Sequence, residues 1–507
     1  MAKRRAVVTI GTLGLERASS VPLYRQLYDA LRDAILSGRL RPGSRLPSTR
    51  ALADDLGASR NTMLAAFGQL LAEGYLEGRV GAGTTVAPTL PETLLRARPE
   101  VEGTRQPGRR PRLSRRGAQL LGTRGGVATA AIVAQPFRPG LPGLDAFPFD
   151  LWTRLVARRW RRVPRQLLDY GDPAGYAPLR EAIAGYLGEA RAVRCEASQV
   201  IVVTGAQQAV DLAARVLLDP GDTAWVEDPG YQGARGALIA AGIRLAPVPV
   251  DAEGLDVRRG ARSAPGARLV YVTPSHQYPL GVTMSLNRRL ALLEWASASG
   301  AWILEDDYDS EYRYAGRPLA ALQGLDTAGR VIYAGTFSKV LFPALRLGYL
   351  VVPPELVDAF IAARALADRH SPSVTQAALA DFIDGGHFAR HVRRTRALYA
   401  ERQAALVSAA RRTLGGLLEV APAEAGMHLM GWLPAGVDDR AAARAALTRA
   451  VDVPPLSAYR ARPTRPSERG GLMLGYAAYA PREIDEACGR LAVALRPPVG
   501  PSERRRP

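Results

Sequence analysis

Cysteine is nearly absent from this chain: Cys195 and Cys488 are the only two, far apart in sequence. That excludes a disulfide framework and a cysteine-based metal cluster, and it fits a reducing compartment. Acidic residues are in deficit, 48 Asp and Glu against 67 Lys and Arg, for a formal charge of +19. The surplus favours a polyanionic partner, nucleic acid first, although a genome biased toward Arg codons gives the same surplus. No apolar run is long enough to span a bilayer. The start is basic, from Met1 to Arg5, but the stretch after Arg5 is short, weakly apolar and without a small-residue cleavage pattern. No signal peptide is expected, and the expectation is a cytoplasmic protein with no membrane partner.

What is present is size and alternation. The 507 residues exceed one ordinary domain, and 47% hydrophobic with 23% charged residues is the balance of a soluble globular protein. The chain passes through three textures. Residues 20–87 carry a helical pattern that ends in a Gly-rich hairpin signal. Residues 88–132 are rich in Pro, Gly and Arg, the composition of a flexible basic linker. Residues 133–497 alternate strand-length apolar runs with helical stretches, and a short basic tail closes the chain. The runs include 200–203, 224–226, 269–272, 302–304, 331–333 and 348–352. Their continuous apolarity suits strands buried on both faces of a mostly parallel sheet, whose ligand loops lie beyond the C-terminal strand ends.

In the first texture, Leu23, Leu27, Leu31 and Ile35 stand four apart, as on an amphipathic helix over 22–36. After a turn through Gly38 and Pro42-Gly43, Ser48 can cap a short helix with Leu52 and Leu56 inward. Ser59 can cap a third, with Met63, Phe67, Leu70 and Leu71 on its buried face and Gly74 as a left-handed end. Two short helices about the Gly57 turn read as a helix-turn-helix, the second entering the major groove. Its exposed start, Arg60-Asn61-Thr62, can reach base edges or phosphates. Tyr75 to Val86, with Arg79 and a Gly81-Ala82-Gly83 turn, reads as a hairpin wing. Residues 45–86, RLPSTRALADDLGASRNTMLAAFGQLLAEGYLEGRVGAGTTV, resemble the GntR family of winged helix-turn-helix regulators. The resemblance implies that Arg45, Ser48, Arg50, Arg60, Asn61, Thr62, Arg79 and Gly83 face double-stranded operator DNA. Capping by itself already accounts for Ser48, Ser59 and Gly74.

The strongest chemical signal is Thr336-Phe337-Ser338-Lys339, with Arg346 downstream. Pyridoxal phosphate needs an amine for an imine, a carboxylate for its pyridine nitrogen, a phosphate cradle and a stacking surface. Each has a candidate at a strand end. Lys339 supplies the amine; Thr336, Ser338 and the planar fork of Arg346 supply phosphate donors. The acid comes from Glu305-Asp306-Asp307, Asp306 being preferred over Asp307, with Tyr308 as donor to the ring hydroxyl oxygen. Thr204-Gly205-Ala206-Gln207-Gln208 opens a helix, and the amides at Ala206 and Gln207 make an anion site. Tyr231, after Asp228-Pro229-Gly230, can lie flat on the ring.

These segments are similar to fold-type I pyridoxal-phosphate enzymes, the aminotransferase superfamily, and imply an α/β domain with a smaller α+β subdomain. By that resemblance Tyr170 reaches the phosphate of the partner subunit in a head-to-tail homodimer. The order of reader, basic linker and aminotransferase-like domain resembles the MocR regulators, with further matches at FRPGLPGLDAFP (137–148), TPSHQYPLG (273–281) and EDDYDSEYRY (305–314). It implies that pyridoxal phosphate, an amine or an amino acid is sensed at Lys339 and changes the grip of a dimer on DNA. Two departures from enzymes favour a regulator with at most vestigial transaminase activity. Tyr278 stands where an Asn usually touches the cofactor, and Met473 where an Arg usually holds a substrate carboxylate, with Arg469 out of reach. His276 reads as an ordinary hydrogen-bonder of the turn. The alternative is a working aminotransferase with an appended helical domain.

Overall fold

A computed structural model describes residues 15–79, 83–90, 113–122, 135–315, 320–462 and 468–496. The described residues fall into two compact units divided at residue 112. The turn at 80–82, the side chain of Arg79, most of the linker-like stretch and the basic tail lie outside the described residues. No helix among the described residues is long and apolar enough to cross a membrane.

The first unit holds helices α1 (Leu23–Leu36), α2 (Thr49–Asp55) and α3 (Arg60–Ala72), then the antiparallel hairpin of β1 (Leu76–Arg79) and β2 (Gly83–Val86). The caps form as the sequence suggests. Ser48 Oγ accepts the Ala51 N–H at 3.2 Å and Ser59 Oγ that of Thr62 at 3.1 Å, each satisfying an otherwise orphan amide. Gly74 has φ +79°, the left-handed conformation that only a side-chain-free residue adopts cheaply. The core gathers Leu27, Leu31, Ile35, Leu52, Met63, Phe67, Leu70 and Val86. Leu71 corrects the expected face: it is 39% exposed. Eight residues after Met63 it has rotated about 80° from that residue's direction, which carries it to the rim.

In the second unit an eight-stranded sheet runs in the order β3-β10-β9-β8-β7-β4-β5-β6. Its strands are β3 (Val200–Val203), β4 (Thr223–Asp228), β5 (Arg244–Asp251), β6 (Gly254–Leu255), β7 (Leu269–Val272), β8 (Trp302–Asp307), β9 (Val331–Thr336) and β10 (Gly348–Val351). Pairing is parallel from β5 through β4, β7, β8 and β9, while β10 lies antiparallel between β9 and β3. β3 therefore runs with the parallel set. Both faces are covered: Ile201, Val203, Leu304 and Leu350 pack on one side, Val200, Val202, Tyr333 and Val351 on the other. That is why these strands read as unbroken apolar runs. β5 is the strand the pattern missed, because Pro247 and Pro249 interrupt it. Proline costs little there, since beyond β5 the sheet has only the two-residue β6.

A smaller subdomain adds the antiparallel strands β11 (Glu419–Val420), β12 (His428–Trp432) and β13 (Gly471–Gly475). The helices His387–Thr413 and Pro481–Leu495 cover it through a core that includes Leu406, Leu429, Leu474, Ile484 and Leu491. Within the stretch expected to be flexible linker, Arg115–Gly122 is instead helical and lies against the helix Gln232–Ala241. Ser114 Oγ caps it by accepting the Gly117 N–H at 3.0 Å, and Ala118 to Leu121 are good helix formers.

Phe67→Ala is expected to cost the first unit about 3–5 kcal/mol through an unfilled cavity, and Leu71→Ala less than about 0.5 kcal/mol. Amide-exchange protection of α3 in the full chain measures both.

Candidate functional site

Parallel strands that begin together end together. The chain leaving β3, β4, β7, β8 and β9 gathers at one sheet edge, as open α/β sheets require of their ligand sites. β10 runs the other way and starts at that edge, its Gly348 paired with Thr336 and with Val203. This is why Arg346, two residues before β10, meets residues that follow the other strands. The result is a cavity of about 190 Å³. Lys339, Asp306, Tyr308, Ala206, Gln207, Tyr231, Thr336, Ser338 and Arg346 all line it.

Side-chain alternation along β8 separates the three consecutive acids. Asp306 faces the cavity, its Oδ2 accepting the Tyr271 hydroxyl at 2.6 Å. Asp307 turns away and takes Arg191 Nε at 2.8 Å and the Tyr333 hydroxyl at 2.6 Å, all three groups buried. Glu305, on the same side as Asp307, accepts the Leu322 and Gln323 amides at 2.9 and 3.0 Å. Asp306 Oδ1 and Asp307 Oδ1 are both buried and, among the described residues, have no hydrogen-bond partner, but only Asp306 lines the cavity. Burial raises the Asp306 carboxyl to about 6, against the bond from Tyr271.

Lys339 is one of only two lysines in the chain, the other being Lys3; every other basic side chain among the 67 is an arginine. Its amine donates to the Gly140 carbonyl at 2.8 Å, and burial holds it below the usual lysine range despite Asp309 and Asp306. Gly140 has φ +78°, a conformation that favours glycine, and a Cβ there would stand 2.8 Å from Lys339 Nζ. Arg346 itself sits at φ +52° beside Gly205, at the N-terminus of the twelve-residue helix Ala206–Leu217. The first amides of that helix, Ser338, Thr336 and the Arg346 guanidinium thus surround one end of the cavity. The rings of Tyr231, Tyr271 and Tyr278 line the cavity as well.

These residues fit pyridoxal phosphate. A dianion matches the amides and guanidinium, and a protonated ring nitrogen matches the unspent Asp306 oxygen, on the one of the three acids that lines the cavity. Tyr170 is not brought to the cavity within the chain: it is 76% exposed, with the Arg369 guanidinium 4.2 Å from its ring centre. His276 departs from the expected turn role. It is buried, its Nδ1 2.9 Å from Asp309 Oδ2 and 2.9 Å from the Tyr308 hydroxyl, because the loop after β7 folds inward against the loop after β8. Tyr271, Gly140, Met427 and His428 line the site unannounced. Met473 is fully buried with Met430, Leu456 and Tyr459, and Arg469 turns to Glu419 at 3.0 Å, away from the cavity.

On the first unit Arg60 and Asn61 are exposed at the start of α3, and Arg50 is exposed on α2. Thr62 is half-buried, its hydroxyl 2.8 Å from Ser59 Oγ. Arg45 and Gly83 meet: a Cβ on Gly83 would lie 2.9 Å from the Arg45 guanidinium. Ser48 is engaged in its cap.

A carboxyl raised on folding stabilises below its unfolded value and loses that contribution as pH climbs through its folded one. Protein free of cofactor should therefore lose up to about 3 kcal/mol through Asp306 between roughly pH 4 and 6. Urea unfolding of wild type and Asp306→Asn across that range measures it, the variant lacking this part of the fall.

The chain matches the model of bacterial regulatory proteins of the gntR family over residues 23–86 and that of class I and II aminotransferases over 149–491. It is 45% identical to the probable rhizopine catabolism regulatory protein MocR of Rhizobium meliloti, over 95% of this chain and 96% of that protein. It is 34% identical to the pyridoxine biosynthesis transcriptional regulator PdxR of Corynebacterium glutamicum, over 81% of this chain and 83% of the relative. Among solved structures, the α-aminoadipate aminotransferase LysN of Thermus thermophilus, complexed with N-(5'-phosphopyridoxyl)-L-leucine, matches at TM-score 0.66 and 30% identity. That match covers 75% of this chain and 94% of LysN. The chain therefore belongs to the MocR-type regulators: it is a DNA-binding transcriptional regulator whose larger part is an aminotransferase-fold domain with pyridoxal phosphate as cofactor.

Proposed function

We propose that the regulator senses a primary amine, an amino acid or the cofactor itself in the Lys339 cavity and thereby changes how a homodimer holds operator DNA. The observation that carries this reading is the unspent Asp306 Oδ1 facing the same small cavity as the Lys339 amine. Bound pyridoxal phosphate supplies an aldehyde that takes up primary amines reversibly. Lys339 is the amine that holds it, and burial makes that amine easier to keep in its neutral, nucleophilic form. Asp306 holds the ring nitrogen in its protonated state; in return the cation opposite brings the carboxyl back down and keeps it ionised. Arg346, Thr336, Ser338 and the Ala206 and Gln207 amides grip the phosphate. Tyr231 covers one ring face, and Tyr308, steadied by His276, donates to the ring oxygen.

The reader is assigned to 20–87 and the effector domain to 133–497, the helix 115–122 lying in the chain between them. Arg45, Arg50 and Arg60, with Asn61, Thr62, Ser48, Arg79 and Gly83, form the DNA-facing set. Tyr170 would serve the phosphate site of the second copy in a head-to-tail dimer. The exposure of Leu168, Tyr170 and Leu366 supports such a covered face. The site of action is the cytoplasm.

Lys339→Ala should abolish the borohydride-trappable cofactor adduct, which peptide mass mapping places on Lys339 in the wild type. An adduct that persists would assign the amine elsewhere. Arg60→Ala should weaken operator binding by about tenfold or more in gel-shift titrations while leaving the cofactor absorbance unchanged. Equal binding by both proteins would remove α3 from the reading role.

A further inference from the structure

The face of α3 assigned to DNA changes character along its length. Met63, Ala66, Phe67 and Leu70 are buried in the core of the first unit. At about 100° per residue the opposite side of the helix is formed by Asn61, Leu64, Ala65, Gly68 and Ala72, all exposed. Arg60 and Leu71 flank it and are exposed too. Four residues of α3 carry polar side chains: Arg60, Asn61, Thr62 and Gln69. Two of these are engaged within the unit. The Thr62 hydroxyl lies 2.8 Å from Ser59 Oγ, and the Gln69 amide donates to Glu73 at 3.0 Å. Arg60 and Asn61, both in the first turn, remain for base edges. Beyond them the exposed face offers neither donor nor acceptor. Leu64 is 48% exposed, Ala65 stands beside it, and nothing packs where a Cβ on Gly68 would be.

Nearly every base edge in the major groove presents a hydrogen-bonding group. The exception is the C5 methyl of thymine, which apolar side chains recognise by contact. Setting Leu64 against a polar edge would desolvate that edge without giving it a partner, which weakens binding. Against a methyl there is no such loss, and two apolar surfaces leave water together. Leu64 stands one turn from Arg60, about 5.4 Å of rise, which spans about one to two base pairs. We propose that Leu64, with Ala65 beside it, reads the methyl of a thymine about one to two base pairs from the base met by Arg60 or Asn61. The proposal deepens the assignment of α3 to the groove and rests on it.

The test starts from duplexes that full-length protein selects out of a random pool. The tightest binder is remade with deoxyuridine in place of one thymine at a time. Each replacement removes a single methyl and keeps every hydrogen-bonding group. In gel-shift titrations the wild type should bind about fourfold more weakly at one such position, the worth of one buried methyl. Leu64→Ala should bind the thymine and uracil forms of that duplex within about 1.5-fold of each other, the coupling having been removed. Leu36→Ala, which alters an exposed leucine at the end of α1, should keep the wild-type difference. The far-ultraviolet spectrum of Leu64→Ala should match the wild type, since the side chain lies outside the core. Indifference of the wild type to every uracil, or a difference that survives in Leu64→Ala, overturns the proposal. A pool in which no sequence is enriched overturns instead the assignment of α3 to the groove. Equal binding of the selected duplex by Arg60→Ala and wild type does the same.

Discussion

Burying a carboxylate with one oxygen unmatched is costly, and Asp306 is such a group. Its surroundings are arranged around that cost. Tyr271 satisfies the other oxygen, the buried pairing of Asp307 with Arg191 absorbs the neighbouring acid, and Lys339 brings a positive charge to the same cavity. Each of these depends on the parallel sheet, since only a shared strand edge brings the ends of β3, β4, β7, β8 and β9 together. The antiparallel β10 completes the set by delivering Arg346 from the opposite direction. A cation-bearing ring is the partner such a carboxylate lacks, which gives the cofactor a physical reason beyond similarity to known proteins.

Much of this was legible from the residues. Runs such as 200–203 and 269–272 read as strands because burial on both faces removes any need for polar alternation. Asp306 lines the cavity and Asp307 turns away from it, which the alternation of β8 explains. β5 was hidden because its two prolines argue against a strand unless the position is near an edge. The helix 115–122 was hidden by basic neighbours that dilute its short apolar patch. Tyr271, Gly140 and His428 carry no local mark; they reach the cavity only through contacts between segments far apart in sequence. One strong signal lay in composition: a chain with two lysines has a single candidate for amine chemistry within its large unit.

The reader unit shows the complementary case, in which short-range rules suffice. Ser48, Ser59 and Gly74 set where its helices start and stop, and they act within three or four residues. Several of its arginines have partners within the unit: Arg17 donates to the Gly57 carbonyl, Arg25 pairs with Asp29, Arg32 donates to the Tyr75 hydroxyl and Arg39 to Ser37 Oγ. Arg60 and Arg50 stand exposed, whereas Arg191 and Arg402 are enclosed and hydrogen-bonded.

The segment 135–140 of the larger unit is fastened at its start by the Tyr479 hydroxyl on the Gln135 carbonyl and the Asp452 amide on the Pro136 carbonyl, and further on by two ties of unlike character. The Phe137 carbonyl accepts from the Gly475 amide at 2.8 Å, a backbone tie that no ligand can compete for. Three residues later, the Gly140 carbonyl accepts from the Lys339 amine at 2.8 Å. The first fastening is independent of the cavity, whereas the second would be given up if the Lys339 nitrogen were engaged by another group. Under the proposed chemistry, the segment that follows Gln135 would thus carry one contact that depends on the state of Lys339, beside several that do not.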